Sequence, residues 1–442
     1  MKLPFAFIAV AACALAGCSA GGGPAPVRAG AVPSANSSAL PGVPVAPVAS
    51  ASPALPGPAL AAVAIGAGYS DSSPHQIVRT RGNVVYAVTP TCTYYASCHG
   101  NALPAYVANA AGTPAGFAEL DPAHEPQAAG YDDALGTSAV AIDGSDRIWV
   151  AFDARTGGGQ LELATIDTGA NLWSAPAVVE AGTGYTGYVQ GDEGVALALD
   201  AGGAGHLVYS AVDSAGTFHL HYVRAATPAS FSAPVQIDDV PLAPKHEAIH
   251  PAIAFAPDGT LTVAWLDGYG PYEPNGTIHV RSRAAGGTWS PSVAIPGVAV
   301  TSIDQGPSLL TTPDGTRHLT FLDGGDAVKY WYSADGVHWH GDEQPPAQLT
   351  HDPTLGPDGN GGIYLYGHGT PLPTIYDTGT NLYRFHKAAG AAAWSAFALW
   401  IAGPYDCSVS TRWSQFFQNF PQSVDALYWG GSGPNQLYFG SG

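Results

Sequence analysis

Charge is what this 442-residue chain has least of: Asp, Glu, Lys and Arg together make up 11% of it, less than half the roughly 25% usual in soluble proteins. Glu and Lys ordinarily fill helix surfaces, so their scarcity speaks against a mainly helical fold. Basic residues are the rarer sign, with 15 Lys+Arg against 34 Asp+Glu and a formal net charge of −19 at pH 7. Nucleic acid is bound by neutralising phosphates with Lys and Arg, so that class of partner is excluded. Beyond the first residues there is no apolar run of the roughly 20 residues that a membrane-crossing helix needs. Cysteine occurs five times and methionine once. Apolar residues are plentiful at 46%, and aromatics reach 10%, so a large core is available and wholesale disorder is excluded. With 56 Gly and 38 Pro, the chain has the composition of many turns and short strands.

Lys2 and the apolar run Leu3 to Leu15 have the layout of a secretory signal peptide. The run ends in Leu15-Ala16-Gly17-Cys18, which resembles the lipobox of bacterial lipoproteins. The resemblance implies that residues 1–17 are removed and that Cys18 becomes the lipidated first residue, the membrane partner of an exported protein. The other reading is an ordinary secretory signal with an incidental Cys. Ser19 stands where Asp would favour retention at the inner membrane, so the resemblance implies an outer-membrane or cell-surface destination. Residues 18–60 are nearly all Ala, Pro, Gly, Val and Ser, a composition that cannot bury enough surface to fold and makes a disordered, semi-stiff tether. The folded domain is expected over residues 61–442.

One unit recurs through that domain: a short strand, a tight turn, then a strand rich in Val, Leu, Trp and Tyr. Its turns include Asp143-Gly144, Asp258-Gly259, Asp314-Gly315 and Asp358-Gly359, strong hairpin signals between alternating apolar runs. A second hairpin follows, and its outer strand opens with an aromatic residue and Ser: Trp173-Ser174, Phe231-Ser232, Trp289-Ser290 and Trp394-Ser395. Four strands per repeat without helical periodicity describe an all-β fold, a β-propeller. Seven inner hairpins predict seven blades, with six as the alternative. The chain ends on a third strand, Leu437-Tyr438-Phe439, and residues Ala61 to Ala67 are expected to supply the missing fourth and close the ring.

The turn Ser333-Ala334-Asp335-Gly336-Val337-His338-Trp339 resembles the Asp-box of sialidase-like, or BNR-repeat, propellers, one residue shorter than the commonest spacing. The resemblance implies a turn between the third and fourth strands of a blade, with Asp335 bonding backbone N–H groups and Trp339 packed between sheets. It implies a fold more than an activity. Sialidases grip their substrate's carboxylate with three arginines and use a Tyr–Glu nucleophile and an Asp acid/base. Here Arg79 and Arg81 lie where the family's Arg-Ile-Pro motif would be, but that motif is absent, and an acidic funnel would repel an anionic sugar. Sialidase activity is the weaker expectation.

In a propeller the loops leading into each blade and the turns after second strands share one face, here termed the loop face. The turns between first and second strands lie on the other, the turn face. The loop face is expected to collect Asp153, Asp213, Asp267 and Asp323 at second-strand ends. Two readings are open for these: caps of their own loops as Asx-turns, or part of a ligand funnel. The candidate ligand-binding residues are His75, Arg79, Asp192, Glu193, His250, Asp304, His351 and Asp352. Carboxylates take bidentate hydrogen bonds from sugar hydroxyls, and Trp265, Trp429, Tyr185, Tyr188, Tyr269 and Tyr272 are candidate stacking platforms. The spacing predicts no dedicated metal site and no cofactor; calcium is the cation the carboxylates would suit. The expected role is therefore binding of an extracellular glycan or a partner protein. The alternative is a glycan-active enzyme, a glycoside hydrolase or a polysaccharide lyase, with no catalytic residue assigned. Among the remaining cysteines, Cys92 and Cys98 bracket a five-residue loop and are the first choice for a disulfide, with Cys407 to either one as the other arrangement.

Overall fold

The apolar runs of the repeat fold as antiparallel strands. A computed structural model describes residues 63–67, 76–90, 102–108, 116–127, 135–154, 158–183, 194–239, 247–268, 276–295, 306–322, 328–341, 349–369, 381–395, 398–402, 410–411, 425–430 and 436–441. No helix occurs among these residues, and their strands group into seven antiparallel sheets of four or five strands.

Sheet 1 runs through Ile77–Arg79, Val85–Val88, Ala105–Ala108 and Phe117–Leu120. Sheet 2 takes Leu135–Ile142, Ile148–Ala154, Gln160–Asp167 and Ala177–Ala181, with Leu172–Trp173 also on its third strand. Sheet 3 takes Val195–Leu199, Gly205–Val212 and Phe218–Thr227, the last paired by both Ser230–Phe231 and Val235–Gln236. Sheet 4 is Ala248–Phe255, Leu261–Asp267, Thr277–Arg283 and Val293–Ala294; sheet 5 is Ser308–Thr311, Arg317–Leu322, Val328–Ser333 and His340–Gly341. Sheet 6 is Leu349–Pro357, Ile363–Gly369, Asn381–Lys387 and Ala398–Ala402. Sheet 7 joins Ser410–Thr411, Asp425–Gly430 and Gln436–Ser441 to Val63–Ala67 from the other end of the domain. First strands of consecutive sheets touch around the molecule, and the first strand of sheet 1 touches sheet 7. This is a β-propeller.

Burial follows strand position. Ile148–Ala154 and Leu261–Asp267 are buried at every residue, because a second strand is packed on both faces by neighbouring sheets and so reads as a continuous apolar run. Third strands sit further out, and Thr277–Arg283 alternates between buried and half-buried. The expected ring closure is present: Val63 pairs with Phe439 and Ala67 with Gln436. Ile65 then joins Ile77, Val85 and Tyr106 of sheet 1 in one buried apolar cluster.

Two side-chain devices recur. In the turns between first and second strands an acidic or hydroxyl side chain satisfies backbone donors that the tight turn leaves open. Asp143 Oδ1 accepts from the N–H groups of Ser145 (2.8 Å) and Arg147 (3.0 Å). Asp200 does the same for Gly202 and Ala204, each at 2.9 Å, and Asp358 for Asn360 (2.7 Å) and Gly362 (2.8 Å). The second device explains the aromatic-Ser repeat. Ser290 donates its backbone N–H to the Ser282 carbonyl at 2.8 Å, while its Oγ accepts the Ser282 N–H at 3.1 Å. Ser174 does this with Thr165, Ser232 with Arg224, and Ser395 with His386. The hydroxyl substitutes for a ladder carbonyl where the outer strand turns away.

The Ser333–Trp339 segment joins the third and fourth strands of sheet 5. Asp335 Oδ1 accepts from the N–H groups of Val337 (2.9 Å) and His338 (2.8 Å), Gly336 has φ 77°, and Trp339 Nε1 donates to the Gly336 carbonyl at 3.3 Å. The His338 side chain bonds Asp335 Oδ2 at 2.7 Å and holds that carboxyl well below the usual range.

The Ser device gives a direct expectation. Ser290→Ala leaves the N–H of the buried Ser282 without its acceptor and should cost about 1–2 kcal/mol, read as a lower urea midpoint with an unchanged slope.

Candidate functional site

The described part of the loop face is acidic, and Asp153, Glu247 and Asp267 are buried there. Asp153 ends the second strand of sheet 2 and is 3% exposed. Its Oδ1 has no hydrogen-bond partner among the described residues, and burial pushes its pKa up to about 7. An ionised carboxylate without a partner is costly in a dry environment, so the proton is retained. Residues 155–157, whose N–H groups an Asx-turn at Asp153 would use, lie outside the described residues. Asp213 does cap its own loop, accepting from the N–H groups of Ala215 at 2.8 Å and Thr217 at 2.9 Å. Asp267 is buried and accepts from Trp265 Nε1 at 3.1 Å.

Glu247 lies immediately before the first strand of sheet 4. It is 4% exposed, its Oε2 is without a partner among the described residues, and burial raises its pKa to about 7. Its backbone is pinned from two sides: Gly268 N–H donates to its carbonyl at 3.1 Å, and a parallel bridge joins it to Phe218 of sheet 3. Three residues on, His250 is buried with φ 52°. That conformation is uncommon for a side-chain-bearing residue; it falls where the pairing of Ala248–Phe255 with Leu261–Asp267 slips between Ile249 and Ala252. The bulge re-aims this stretch of strand, as bulges beside binding sites do. Across the same seam His219 is held between two carboxylates, at 2.7 Å from the buried Asp238 and 3.6 Å from Asp213.

A further group bridges sheets 2 and 3 beside Asp153. The Tyr209 hydroxyl donates to Glu180 Oε2, and His221 Nδ1 lies 2.9 Å from the same oxygen. Burial and the bond to Glu180 raise the Tyr209 pKa, with the Asp153 charge adding to it. Sequence reasoning missed this group. Glu180 is on a fourth strand and Tyr209 on the second strand of the next sheet, so only the register between sheets brings them together.

Of the eight candidate ligand residues, the structure places two side chains, and on opposite faces. His250 is on the loop face. Arg79 is not: it ends the first strand of sheet 1, is 2% exposed, and turns its guanidinium onto Asn83 of the following turn, 3.3 Å from the carbonyl oxygen. The expectation that Arg79 joins the loop-face funnel is corrected; it braces a turn-face hairpin. His351 and Asp352 lie at the start of the first strand of sheet 6, Leu349–Pro357, where their backbone alone is described. His75, Asp192, Glu193 and Asp304 lie outside the described residues, as do Cys18, Cys92 and Cys98. Trp265 is also corrected: it is fully buried and stacked on His279 at 5.6 Å, a core residue and not a platform. Among the described residues no group of three His, Cys, Asp or Glu is placed to hold a metal ion.

No family model matches this sequence, and no curated protein matches it. Solved structures do resemble it in fold. An ulvan lyase of polysaccharide lyase family PL25, bound to -[GlcA(1-4)Rha3S]-, is 10% identical with a TM-score of 0.56, covering 86% of this chain and 94% of that one. The BP39L lectin of Burkholderia pseudomallei is 14% identical with a TM-score of 0.57, covering 84% of this chain and 96% of that one. At these identities the likeness is one of architecture.

The two retained protons make stability depend on pH. Unfolded carboxyls titrate near about 4, whereas Asp153 and Glu247 do so near 7 in the fold. Between those values these two groups bind more protons folded than unfolded, so their contribution to stability falls as pH rises from about 4 to 7, while the buried His318, its pKa lowered to about 4, contributes in the opposite sense. The double variant Asp153→Asn, Glu247→Gln should flatten that decline, measured as urea midpoints across the range.

Proposed function

We propose that this chain is an exported, lipid-anchored propeller that binds extracellular glycan through its loop face. The observation that carries the reading is the Glu247–His250 bend at the start of the first strand of sheet 4. It holds an unpartnered buried carboxyl and an imidazole on a left-handed kink beside the Asp213–His219–Asp238 set. Carboxylates and imidazoles at a pleated rim are the groups that take sugar hydroxyls in pairs. A glycan-binding lectin and a glycan-cleaving lyase both use this architecture, which supports glycan as the ligand class over a protein partner. The seven described sheets support seven blades in the ring, with Val63–Ala67 completing the last.

A second reading, a glycan-active enzyme, is favoured by one feature. A carboxyl whose pKa stands near 7 is a competent proton donor at neutral pH, and Asp153 and Glu247 both qualify. Either could protonate a leaving glycosidic oxygen or, ionised, remove a proton.

The two readings separate when the folded chain is incubated with a pool of acidic and neutral glycans and the products are read by mass spectrometry. Retention of an intact glycan marks a binding protein, hydrolysed fragments a glycosidase, and unsaturated ends a lyase. His250→Ala with Asp304→Ala should abolish retention without lowering the melting temperature; unchanged affinity would remove the loop face from consideration. Membrane anchoring is tested separately. Cys18→Ser should eliminate labelling by radioactive palmitate in a bacterial host and release the protein from the membrane fraction.

A further inference from the structure

A groove of about 400 Å³ opens on the turn face, between sheets 3 and 4 and away from the loop face. Its floor is apolar, formed by Phe255 and Leu261, and its rim carries Asp200, His206, Arg224 and Arg283. Gly259 and Ala285, both in turns of sheet 4, line the same wall close together: a Cβ at Gly259 would come within 3.2 Å of the Ala285 Cβ.

The imidazole in this groove is already committed. His206 lies 2.8 Å from the Tyr222 hydroxyl through Nδ1 and 3.3 Å from Asp200 through Nε2, with Phe255 edge-on at 4.8 Å. Burial lowers its pKa, and the charges of Arg224 and Arg283 lower it further against the pull of Asp200. Both guanidiniums thus act on one point. Arg283 is oriented by its Nε donating to the Gly287 carbonyl at 2.8 Å and lies 5.2 Å above the Tyr222 ring. Arg224 is exposed and reaches Asp200 at 3.5 Å, beyond the roughly 2.7–2.9 Å of a strong charge-assisted bond. Its donors remain available for a ligand.

A related seam shows what is special here. Trp289 stands edge-on to Tyr222 at 5.2 Å, and between sheets 5 and 6 the set of His206, Tyr222 and Trp289 recurs as His318, Tyr330 and Trp394, with one cation among the described residues, Lys387, caged at 4.9 Å from Tyr330 and 5.7 Å from Trp394. The residue paired with His318 there is Tyr332, which also faces Lys387 at 5.5 Å. At the groove the residue paired with His206 is Arg224. The groove therefore carries a second cation where the sheet 5 seam has an aromatic ring, on a chain with few cations to place.

We propose that this groove is a second binding site, for a small ring-bearing monocarboxylate seated with its ring on Phe255 and Leu261 and its carboxylate between Arg224 and Arg283. Planar guanidinium matches a carboxylate in charge and geometry. A volume near 400 Å³ falls at the lower end of small-molecule sites, roughly 300–1,000 Å³. Asp200 on the same rim and a net charge of −19 select against dianions and polyanions. A uronate or an aromatic acid both have this chemistry, and the site is independent of the loop-face reading.

The test titrates the intact protein with sodium glucuronate and with sodium benzoate, each against its uncharged counterpart, glucose or benzamide, by ligand-observed NMR and calorimetry. At least one acid should saturate while its neutral counterpart does not; glucuronate alone identifies a sugar acid, benzoate alone an aromatic acid. Arg224→Gln should weaken binding at least fivefold. Ala285→Trp, in an exposed turn, should fill the groove and abolish binding with an unchanged melting temperature. His250→Ala with Asp304→Ala should leave this binding intact, which separates it from any loop-face site. Absence of saturation by both acids, or parental affinity in both groove variants, would overturn the proposal.

Discussion

The pairing of Val63–Ala67 with Gln436–Ser441 is the constraint on which the rest depends. A stack of twisted sheets laid side by side in a curve has two exposed ends, and each end sheet lacks a neighbour on one face. Joining strands from opposite ends of the domain into sheet 7 converts the row into a ring, so sheet 1 gains a neighbour through the cluster that Ile65 shares with Ile77, Val85 and Tyr106. Second strands can then be apolar on both faces all the way round. The continuous burial of Ile148–Ala154 and Leu261–Asp267 depends on that closure as much as on their own sequences.

Within the ring the seams are tied by hydroxyls and carboxylates acting on backbone groups. Ser138 Oγ donates to the Val88 carbonyl at 3.1 Å, Ser210 Oγ to the Ala248 carbonyl at 2.9 Å, and Ser308 Oγ accepts from Leu355 N–H at 3.0 Å. Each tie crosses from one sheet to the next near the first strands, the innermost positions. This fixes the rim from which the loop-face groups project, so Glu247 and His250 rest on rigid strand ends. The turn face is built differently, from His–Tyr–Trp sets with a cation over the rings. The two faces thus differ in emphasis on one scaffold: buried carboxyls with oxygens lacking a described partner on the loop face, and guanidinium groups beside aromatic rings, with turn-capping carboxylates such as Asp200 and Asp358, on the turn face.

The strand-turn-strand repeat was legible because each element needs a local pattern: an Asp or Thr opening the turn, Gly where φ is positive, and an aromatic-Ser pair where the fourth strand departs. The closing strand was legible too, since a terminal hairpin one strand short demands a partner. The site was less so. Asp153 and Asp213 occupy equivalent positions at second-strand ends, yet one is buried and protonated and the other caps a solvated turn. Neighbouring sheets decide that difference, and it leaves no mark on the local sequence. Arg79 illustrates a related limit: the turn from Arg79 to Asn83 is readable in the sequence, but that its guanidinium serves that turn and not the loop face shows only in the bond to Asn83. Tyr209, Glu180 and His221 meet only through inter-sheet register, which no spacing along the chain reveals.

The serine ties have a consequence for the surroundings this fold can tolerate. Screening by dissolved ions weakens attractions between full charges over about 8–10 Å at moderate ionic strength, but has little purchase on a short bond between a hydroxyl and a peptide group. Ion pairs between the described sheets include the solvent-facing Arg81 with Asp146 at 3.3 Å, of a kind that contributes little, and the more enclosed His221 with Glu180 at 2.9 Å. A chain with a charged fraction of 11%, whose seams are stitched in part by neutral groups, leans less on ionic strength for its shape than one held by ion pairs alone.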